Sequence, residues 1–175
     1  MWNQTSKTKT KAKFNSAQEA YDCALNLLSY RDYSEQKLRE RLQRKGADAE
    51  QSDAAVEKLQ HYGLIDDRRY AQRVYEYWLQ KGAYGRLHLQ AELQKRGVAP
   101  ELVRETVAQF TSAQEEVHAE KAAAVFLQRN GRKLEQLRQD KRKLYAAAGR
   151  FMAARGFSGE HVKILWEKLL SDTDI

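Results

Sequence analysis

The amino-acid sequence predicts an all-α protein in which three tandem three-helix repeats form an elongated, curved helical array. The chain has 175 residues, of which 31% are charged and one is proline. Good helix formers dominate it, and no alternating run of β-branched residues bounded by turn residues predicts a strand. One segment also occurs nearly twice, with a third and weaker copy. These three observations favour a row of helical repeats.

The repeated segment reads SEQKLRERLQRKG at 34–46 and GRLHLQAELQKRG at 85–97, and its weaker copy, LYAAAGRFMAARG, ends at Gly156. In every copy, apolar residues stand four and eight positions before the final glycine, on one face of a helix. The glycine fits the left-handed C-terminal cap that a residue without Cβ adopts cheaply. A second apolar stripe follows each glycine, so each copy predicts two amphipathic helices.

A further apolar-periodic stretch precedes each copy and predicts the first helix of each repeat. In the central repeat this stripe comprises Tyr70, Val74, Tyr77 and Trp78. Capping boxes are predicted at Ser16–Glu19 and Ser112–Glu115, where the first helices of the outer repeats begin. The predicted repeats are therefore residues 16–65, 66–111 and 112–175, and such a row offers a long concave face.

The segment GLIDDRRYA, at 63–71, marks the start of the central repeat. With Asp66 as the N-cap, Ile65 and Tyr70 take the positions of a hydrophobic staple, and Asp67 lies in the first turn, where the helix dipole favours an anion. The alternative is a metal-binding or catalytic carboxylate pair, but no third ligand stands nearby in the sequence. The spacing favours a helix start.

Positive charge is concentrated in two blocks of this chain, whose net charge is +7. Residues 1–15 contain four lysines and no acid, and residues 1–13 have almost no apolar anchor beyond Trp2, which predicts a disordered basic N-terminal arm over 1–15. Residues 129–155 contain nine bases against two acids, and the stretch NGRKLEQLRQDKRK lengthens the third repeat here. Such blocks predict surfaces for a polyanion or, alternatively, solvated helix faces.

The residue patterns that characterise several classes of function are not found in this chain. The single cysteine, Cys23, excludes an internal disulfide and fits reducing conditions. No signal peptide or membrane-spanning stretch is predicted. The four histidines show no metal-binding spacing, and neither a phosphate-binding glycine loop nor a serine nucleophile elbow is found. We therefore expect a soluble cytoplasmic protein with no enzymatic activity, no metal and no cofactor.

Four segments in chain order, YRDYSEQKLRERLQRKG, YGLIDDRRYAQ, WLQKGAYGRLHLQAELQKRGV and RFMAARGFSGEHV, resemble the RecX family of bacterial regulatory proteins, which modulate the RecA recombinase. The resemblance covers residues 16–171 and is most specific over 63–97. It implies three tandem three-helix repeats and a regulator, not an enzyme, of recombination, DNA repair and the SOS response. Family members bind RecA, lodge in the groove of its filament on single-stranded DNA, and inhibit its strand exchange, ATP hydrolysis and coprotease action.

The third repeat departs from the pattern of the other two. Lys143 stands where the other copies have Tyr33 and Tyr84, and Gly149 is expected to interrupt the helix AAAGRF. These two positions set the third repeat apart from the family pattern.

Bases on the central and third repeats are the expected contacts with a partner: Arg68, Arg69, Arg73, Arg132, Lys133, Arg138, Lys141, Arg142 and Lys143. The expected partners of a monomeric protein are the RecA filament and single-stranded DNA, met directly or through the filament. The alternative is an autonomous helical-repeat nucleic-acid-binding protein. That function needs aromatic side chains for base stacking, and the candidates are Tyr75, Tyr84 and Tyr145.

Overall fold

The structure, a computed structural model, describes residues 14–171, with all side chains in that range except those of residues 132, 133, 135–138 and 171. These residues form nine α-helices and no β-strand, which confirms the predicted all-α class. The predicted arm, residues 1–15, lies outside the described residues apart from Phe14 and Asn15. The helices are α1 (Ala17–Tyr30), α2 (Glu35–Lys45), α3 (Ala49–His61), α4 (Asp67–Lys81), α5 (Arg86–Lys95), α6 (Pro100–Ala108), α7 (Ser112–Arg138), α8 (Lys141–Ala154) and α9 (Gly159–Ser171).

The chain divides into two compact units, Met1–Tyr70 and Ala71–Ile175, and the division falls within α4. In the first unit, α1, α2 and α3 pack around one apolar core. This core contains Leu38 and Leu42, the two apolar positions that the repeated segment predicts to face inward on α2. Both side chains are fully buried, and each such burial contributes roughly 1.5–3 kcal/mol. The repeated leucines are therefore a main source of stability in the first unit.

The helix α2 is capped at both ends, and its final glycine follows the sequence prediction. Ser34 is the N-cap, and its hydroxyl accepts a hydrogen bond from the amide of Lys37 at 3.3 Å. Gly46 ends the helix with φ 121°, a backbone conformation that favours glycine, and its amide donates to the carbonyl of Leu42. The amide of Phe14 donates to the carbonyl of Gly46 at 3.2 Å. The start of the described chain is thus attached to the end of α2.

The two acids of GLIDDRRYA have different partners. Asp66 caps α4 as predicted, because its carboxylate accepts from the amide of Arg69 at 3.0 Å, and the two staple residues are buried. Asp67 instead reaches another helix, where its Oδ1 accepts from the amide of Glu35, the first residue of α2, at 2.8 Å. Burial raises the pKa of Asp67, and the Glu35 amide partly offsets that rise. The acid pair therefore consists of caps for two separate helices.

An aromatic core surrounds Trp78 of α4 in the second unit. The Trp78 ring meets Phe110 edge-on with centroids 4.8 Å apart, and its indole N–H donates to Nδ1 of His88 at 3.0 Å. His118 of α7 lies 5.4 Å from the same indole, and its Nδ1–H donates to the carbonyl of Tyr84 at 3.0 Å. Burial lowers the pKa of both histidines. The core therefore holds two neutral imidazoles at fixed hydrogen bonds.

The start of α5 meets the end of α8 through backbone atoms. The amides of Gly85 and Leu87 donate to the carbonyls of Arg155 and Gly156 at 2.9 and 3.1 Å. A Cβ atom at Gly85 would lie 2.5 Å from the carbonyl oxygen of Gly156, and one at Gly156 would lie 2.1 Å from the amide nitrogen of His88. Both glycines are therefore required by the close approach of the two chain segments.

The predicted capping box at Ser112–Glu115 is wrong by one residue. Thr111 and Gln114 form the box, since each accepts from the amide of the other through its side chain, at 3.2 and 2.9 Å. The carboxylate of Glu115 is buried and turns to α5, where it accepts from the amide of Arg86 at 2.8 Å and from its Nε at 3.1 Å. An acid from a later helix thus caps α5, as one does for α2.

The predicted core stripe of α4 is wrong at Tyr77, which is 61% exposed. Ala71, Tyr75 and Trp78 are buried and follow one another at helical spacing. Tyr77 is rotated by about 100° from Trp78 around the helix, since one turn takes 3.6 residues. The buried face of α4 therefore centres on Tyr75 and Trp78.

The helix α8 is longer than predicted and continuous. Relative to the glycine that follows it, α8 begins one turn earlier than α2 and α5, and Gly149 lies inside it without interrupting it. Asp140 caps α8, so Lys143 lies in the first turn of this helix. At the matching position, α2 and α5 have a tyrosine that precedes the helix. The inward residues of α8 are Leu144, Ala148 and Met152. The departure of α8 from α2 and α5 is thus an added helical turn at its start.

We expect Asp67→Ala to lower the free energy of unfolding by about 1 kcal/mol, as loss of a helix cap does, and Asp67→Asn to cost much less. Asparagine keeps an oxygen that accepts from Glu35 and removes a half-buried charge. Because the folded pKa of Asp67 is raised above 3.8, the folded state holds this proton more tightly, and the wild-type contribution falls as pH rises from 3.8 through the raised pKa.

Urea unfolding across this pH range tests the Asp67 prediction, with Asp22→Asn as a control change at an exposed acid of the same unit. Relative to wild type, Asp67→Asn should gain stability as pH rises. Equal losses for the alanine and asparagine variants at neutral pH would show that the charge, and not the acceptor atom, is required.

The second unit should lose stability as pH falls below about 6.5. The folded pKa values of His88 and His118 lie below 6.5, so the unfolded chain binds more protons there, at a cost of at most about 1.4 kcal/mol per pH unit for each ring. Urea unfolding followed by tryptophan fluorescence measures this loss. The charged groups that influence the two rings are Lys81, Glu92, Glu115, Lys121 and Arg155.

The double variant His88→Gln/His118→Gln should flatten the pH dependence, whereas His61→Gln, at an exposed histidine, should leave it unchanged. A steep loss of stability that persists in the double variant would assign the acid sensitivity to other groups.

Candidate partner-binding surfaces

Three of the predicted contact bases lie on α4. Arg68 and Arg69 are exposed in its first turn, and Arg73 is exposed one turn later. The guanidinium of Arg69 donates to the carbonyl of Gly63 at 3.0 Å, which fixes the turn before the helix. A four-residue spacing puts Arg69 and Arg73 on the same side of α4. The bases of this helix therefore combine a structural contact with exposed positive charge.

Three more predicted bases, Lys141, Arg142 and Lys143, are exposed in the first turn of α8. The carboxylate of Asp140 accepts from the amides of Lys143 and Arg142 at 3.2 and 3.1 Å, and its second oxygen lies 3.2 Å from Nζ of Lys143. These bonds lower the pKa of Asp140. The start of a helix dipole disfavours cations, so the charges of Lys141 and Arg142 do not stabilise the helix and suit an anionic partner.

The remaining predicted bases, Arg132, Lys133 and Arg138, belong to α7, and their side chains lie outside the described residues. The helix has 27 residues, against 14 in α1 and 15 in α4. Its extension contains most of the basic stretch that lengthens the third repeat in the sequence. Contact between these three bases and a partner stays a prediction.

The three tyrosines predicted as candidates for base stacking differ in how far their side chains are exposed. Tyr75 is 5% exposed and stacks on Trp78, so its predicted use against nucleic-acid bases is wrong. Tyr84 is half-buried beside His88, and Tyr145 is half-exposed with its ring edge-on to Trp166. None of the three offers an aromatic ring without a neighbouring ring.

The most exposed of the three tyrosines of α4 is Tyr77, which the sequence pattern placed in the core. The ammonium of Lys81 lies 5.0 Å from the centre of its ring. A signal was available in the sequence, since Arg73, Tyr77 and Lys81 recur every four residues and therefore share one side of a helix. This spacing combines an aromatic ring with two cations.

Other kinds of site find little support in the part of the chain that the structure describes. There, no group of three or more histidine, cysteine, aspartate or glutamate side chains could hold a metal ion. Within the same residues, no helix is long and apolar enough to cross a membrane.

Two family models match consecutive parts of this chain. The first, described as RecX, first three-helix domain, matches residues 20–59, and the second, described as RecX, second three-helix domain, matches residues 66–107. These ranges correspond to α1–α3 and α4–α6.

Curated relatives and solved structures extend the similarity over most of the chain. The regulatory protein RecX of Trichlorobacter lovleyi is 34% identical over 154 residues, which are 88% of this chain and 97% of that protein. RecX of Vibrio vulnificus is 29% identical over 81% of this chain and 87% of its own. The crystal structure of RecX from Lactobacillus salivarius has the same fold, with a TM-score of 0.70 and 18% identity over 87% of this chain and 96% of that one. Two matched three-helix domains and a relative aligned along nearly its whole length show that this chain belongs to the RecX family of regulatory proteins.

Proposed function

We propose that this protein binds the RecA recombinase and its nucleoprotein filament on single-stranded DNA and inhibits the ATPase, strand-exchange and coprotease activities of RecA. The observation that carries this proposal is the similarity to regulatory RecX proteins along 88% of the chain. The activity on RecA comes from the resemblance to the family. In this proposal the protein is a cytoplasmic monomer that acts in recombination, repair and the SOS response without a cofactor or catalysis.

The proposal includes three tandem three-helix repeats, the third formed by α7, α8 and α9. Those three helices share one apolar core. Two equivalent contacts support the arrangement, since Asp67 of α4 caps the first amide of α2, and Glu115 of α7 caps the first amide of α5, each at 2.8 Å. The first helix of each later repeat thus reaches back to the second helix of the repeat before it. The repeats correspond to residues 16–65, 66–111 and 112–175.

The exposed bases supply the contact with an anionic partner in this proposal. Lys141 and Arg142 add positive charge to the positive end of α8, an arrangement that helix stability alone disfavours. A filament on single-stranded DNA offers phosphates and acidic protein surface to such a turn. Contact with phosphates releases counterions, so binding should weaken steeply with salt. The bases of α4 and of the α7 extension complete the proposed contact set.

Substoichiometric amounts of this protein should lower the rate of ATP hydrolysis by RecA on single-stranded DNA. A coupled ATPase assay measures the rate, with RecA on the same DNA alone as the reference. An unchanged rate together with tight binding to bare DNA would contradict the proposal and would favour an autonomous nucleic-acid-binding protein.

The variant Lys141→Glu/Arg142→Glu should raise the half-inhibitory concentration on the order of 10-fold and reduce the slope of log affinity against log salt by about two. Thermal stability should be unchanged or slightly raised, because acids are favourable in the first turn of a helix. The change leaves the Asp140–Lys143 ion pair in place.

The matched control is Arg41→Glu/Lys163→Glu, which alters net charge equally at exposed bases of α2 and α9. Equal loss of inhibition in both variants would indicate an effect of total charge. Full inhibition by the α8 variant at physiological salt would assign Lys141 and Arg142 to a solvated helix face.

A further inference from the structure

Tyr77 is an aromatic side chain that the core does not use. It is 61% exposed, although its neighbours Tyr75 and Trp78 on the same helix are buried, with exposed fractions of 5% and 2%. Its ring carries the ammonium of Lys81 at 5.0 Å from the centroid. More than half of the Tyr77 surface is therefore accessible beside a positive charge.

Bases from two helices lie along and beside the C-terminal half of α4. Arg73 is exposed one turn before Tyr77, and Lys81 is exposed one turn after it. Lys121 comes from α7 and lies over Gly82, where a Cβ atom would be 3.4 Å from its Nζ. The nearest acid along the helix, Glu76, accepts a hydrogen bond from Gln72 at 3.0 Å. The surface consists of one ring and three cations, which we call the Tyr77 surface: Arg73, Tyr77, Lys81 and Lys121.

We infer that the Tyr77 surface binds a segment of single-stranded nucleic acid directly, with a base stacked on Tyr77 and phosphates held by Arg73, Lys81 and Lys121. The inference rests on the proposed function and deepens it, because it assigns a direct base contact to a strand that could otherwise be met only through RecA. It adds Tyr77, Lys81 and Lys121 to the residues expected from the sequence.

The dimensions of the surface suit a short stretch of strand. Arg73 and Lys81 are eight residues apart, or about 12 Å along α4, which spans about two to four nucleotides at a rise of 3.4 Å or more per nucleotide. A ring flanked by cations is the arrangement by which single strands are bound without sequence preference. Helix stability accounts for part of the charge, since Lys81 lies at the C-terminal end of α4, where the dipole favours a cation. It does not account for the exposed ring.

The test measures fluorescence anisotropy of labelled oligothymidylate, and of an abasic oligonucleotide of equal length, without RecA. Tyr77→Ala should weaken binding of oligothymidylate by roughly 5- to 150-fold and leave binding of the abasic strand nearly unchanged. Tyr77→Phe should bind both strands like wild type, because it keeps the ring. Lys81→Ala should weaken binding of both strands, since it removes a phosphate contact.

The matched control is Tyr30→Ala, which removes another exposed tyrosine, 88% accessible, from the first unit. Thermal melting of each variant verifies that the fold is intact. Equal affinity of Tyr77→Ala and wild type for oligothymidylate, or no binding of the bare strand by wild type, overturns the inference. Loss of RecA inhibition in Tyr77→Ala with unchanged strand binding also overturns it and identifies a protein contact. The RecA ATPase assay with wild type judges the proposed function separately, since inhibition can persist without this base contact.

Discussion

The first amide of α2 and the first amide of α5 each depend on a carboxylate from a later helix. A helix leaves its first four amides without partners inside the helix, and in both cases an acid two helices further along the chain supplies one acceptor, at 2.8 Å. At α5, Arg86 also forms an ion pair with the same Glu115, which compensates the buried charge. The carbonyls of Arg155 and Gly156 satisfy two more amides there. The positions of these second helices are thus set by hydrogen bonds between elements distant in sequence.

The sequence was informative wherever the determining interaction is local. Final glycines, the cap Asp66, and inward leucines four residues apart follow from contacts within one helix or its flanking turn, and the structure confirms them. Predictions failed where a distant partner decides. Thr-Ser-Ala-Gln-Glu allows two registers of the capping box, and the need for Glu115 at the start of α5 selects the earlier one. Gly149 was expected to break a helix, but the cap at Asp140 starts α8 early enough to carry the helix through it.

The surface was harder to predict than the core for a related reason. Composition and spacing identify which residues are basic, but not which aromatic side chain of a helix faces inward. Tyr75 and Tyr77 have the same side chain and lie two residues apart, but only Tyr75 is buried, where it stacks on Trp78, whose own ring contacts Phe110. The hydrophobic period of α4 is consistent with either assignment when several aromatic residues are adjacent. Three-dimensional contacts are needed to show that Tyr75 is the buried residue and Tyr77 the exposed one.

The same contacts separate the bases that the fold requires from those that a partner could use. Arg86 is tied to Glu115, and the guanidinium of Arg155 lies 3.7 Å from the centre of the Phe151 ring, where burial lowers the pKa of the arginine. Removing Arg86 would leave the buried carboxylate of Glu115 without its opposite charge, and removing Arg155 would remove the group that packs on the Phe151 ring. Lys141 and Arg142 lie instead at the positive end of a helix, where their charge opposes the dipole. A base whose charge is unfavourable for its own helix is better explained by an anionic partner than by the fold, and this distinction directs the search for the proposed RecA-binding surface to α8 and to the exposed side of α4.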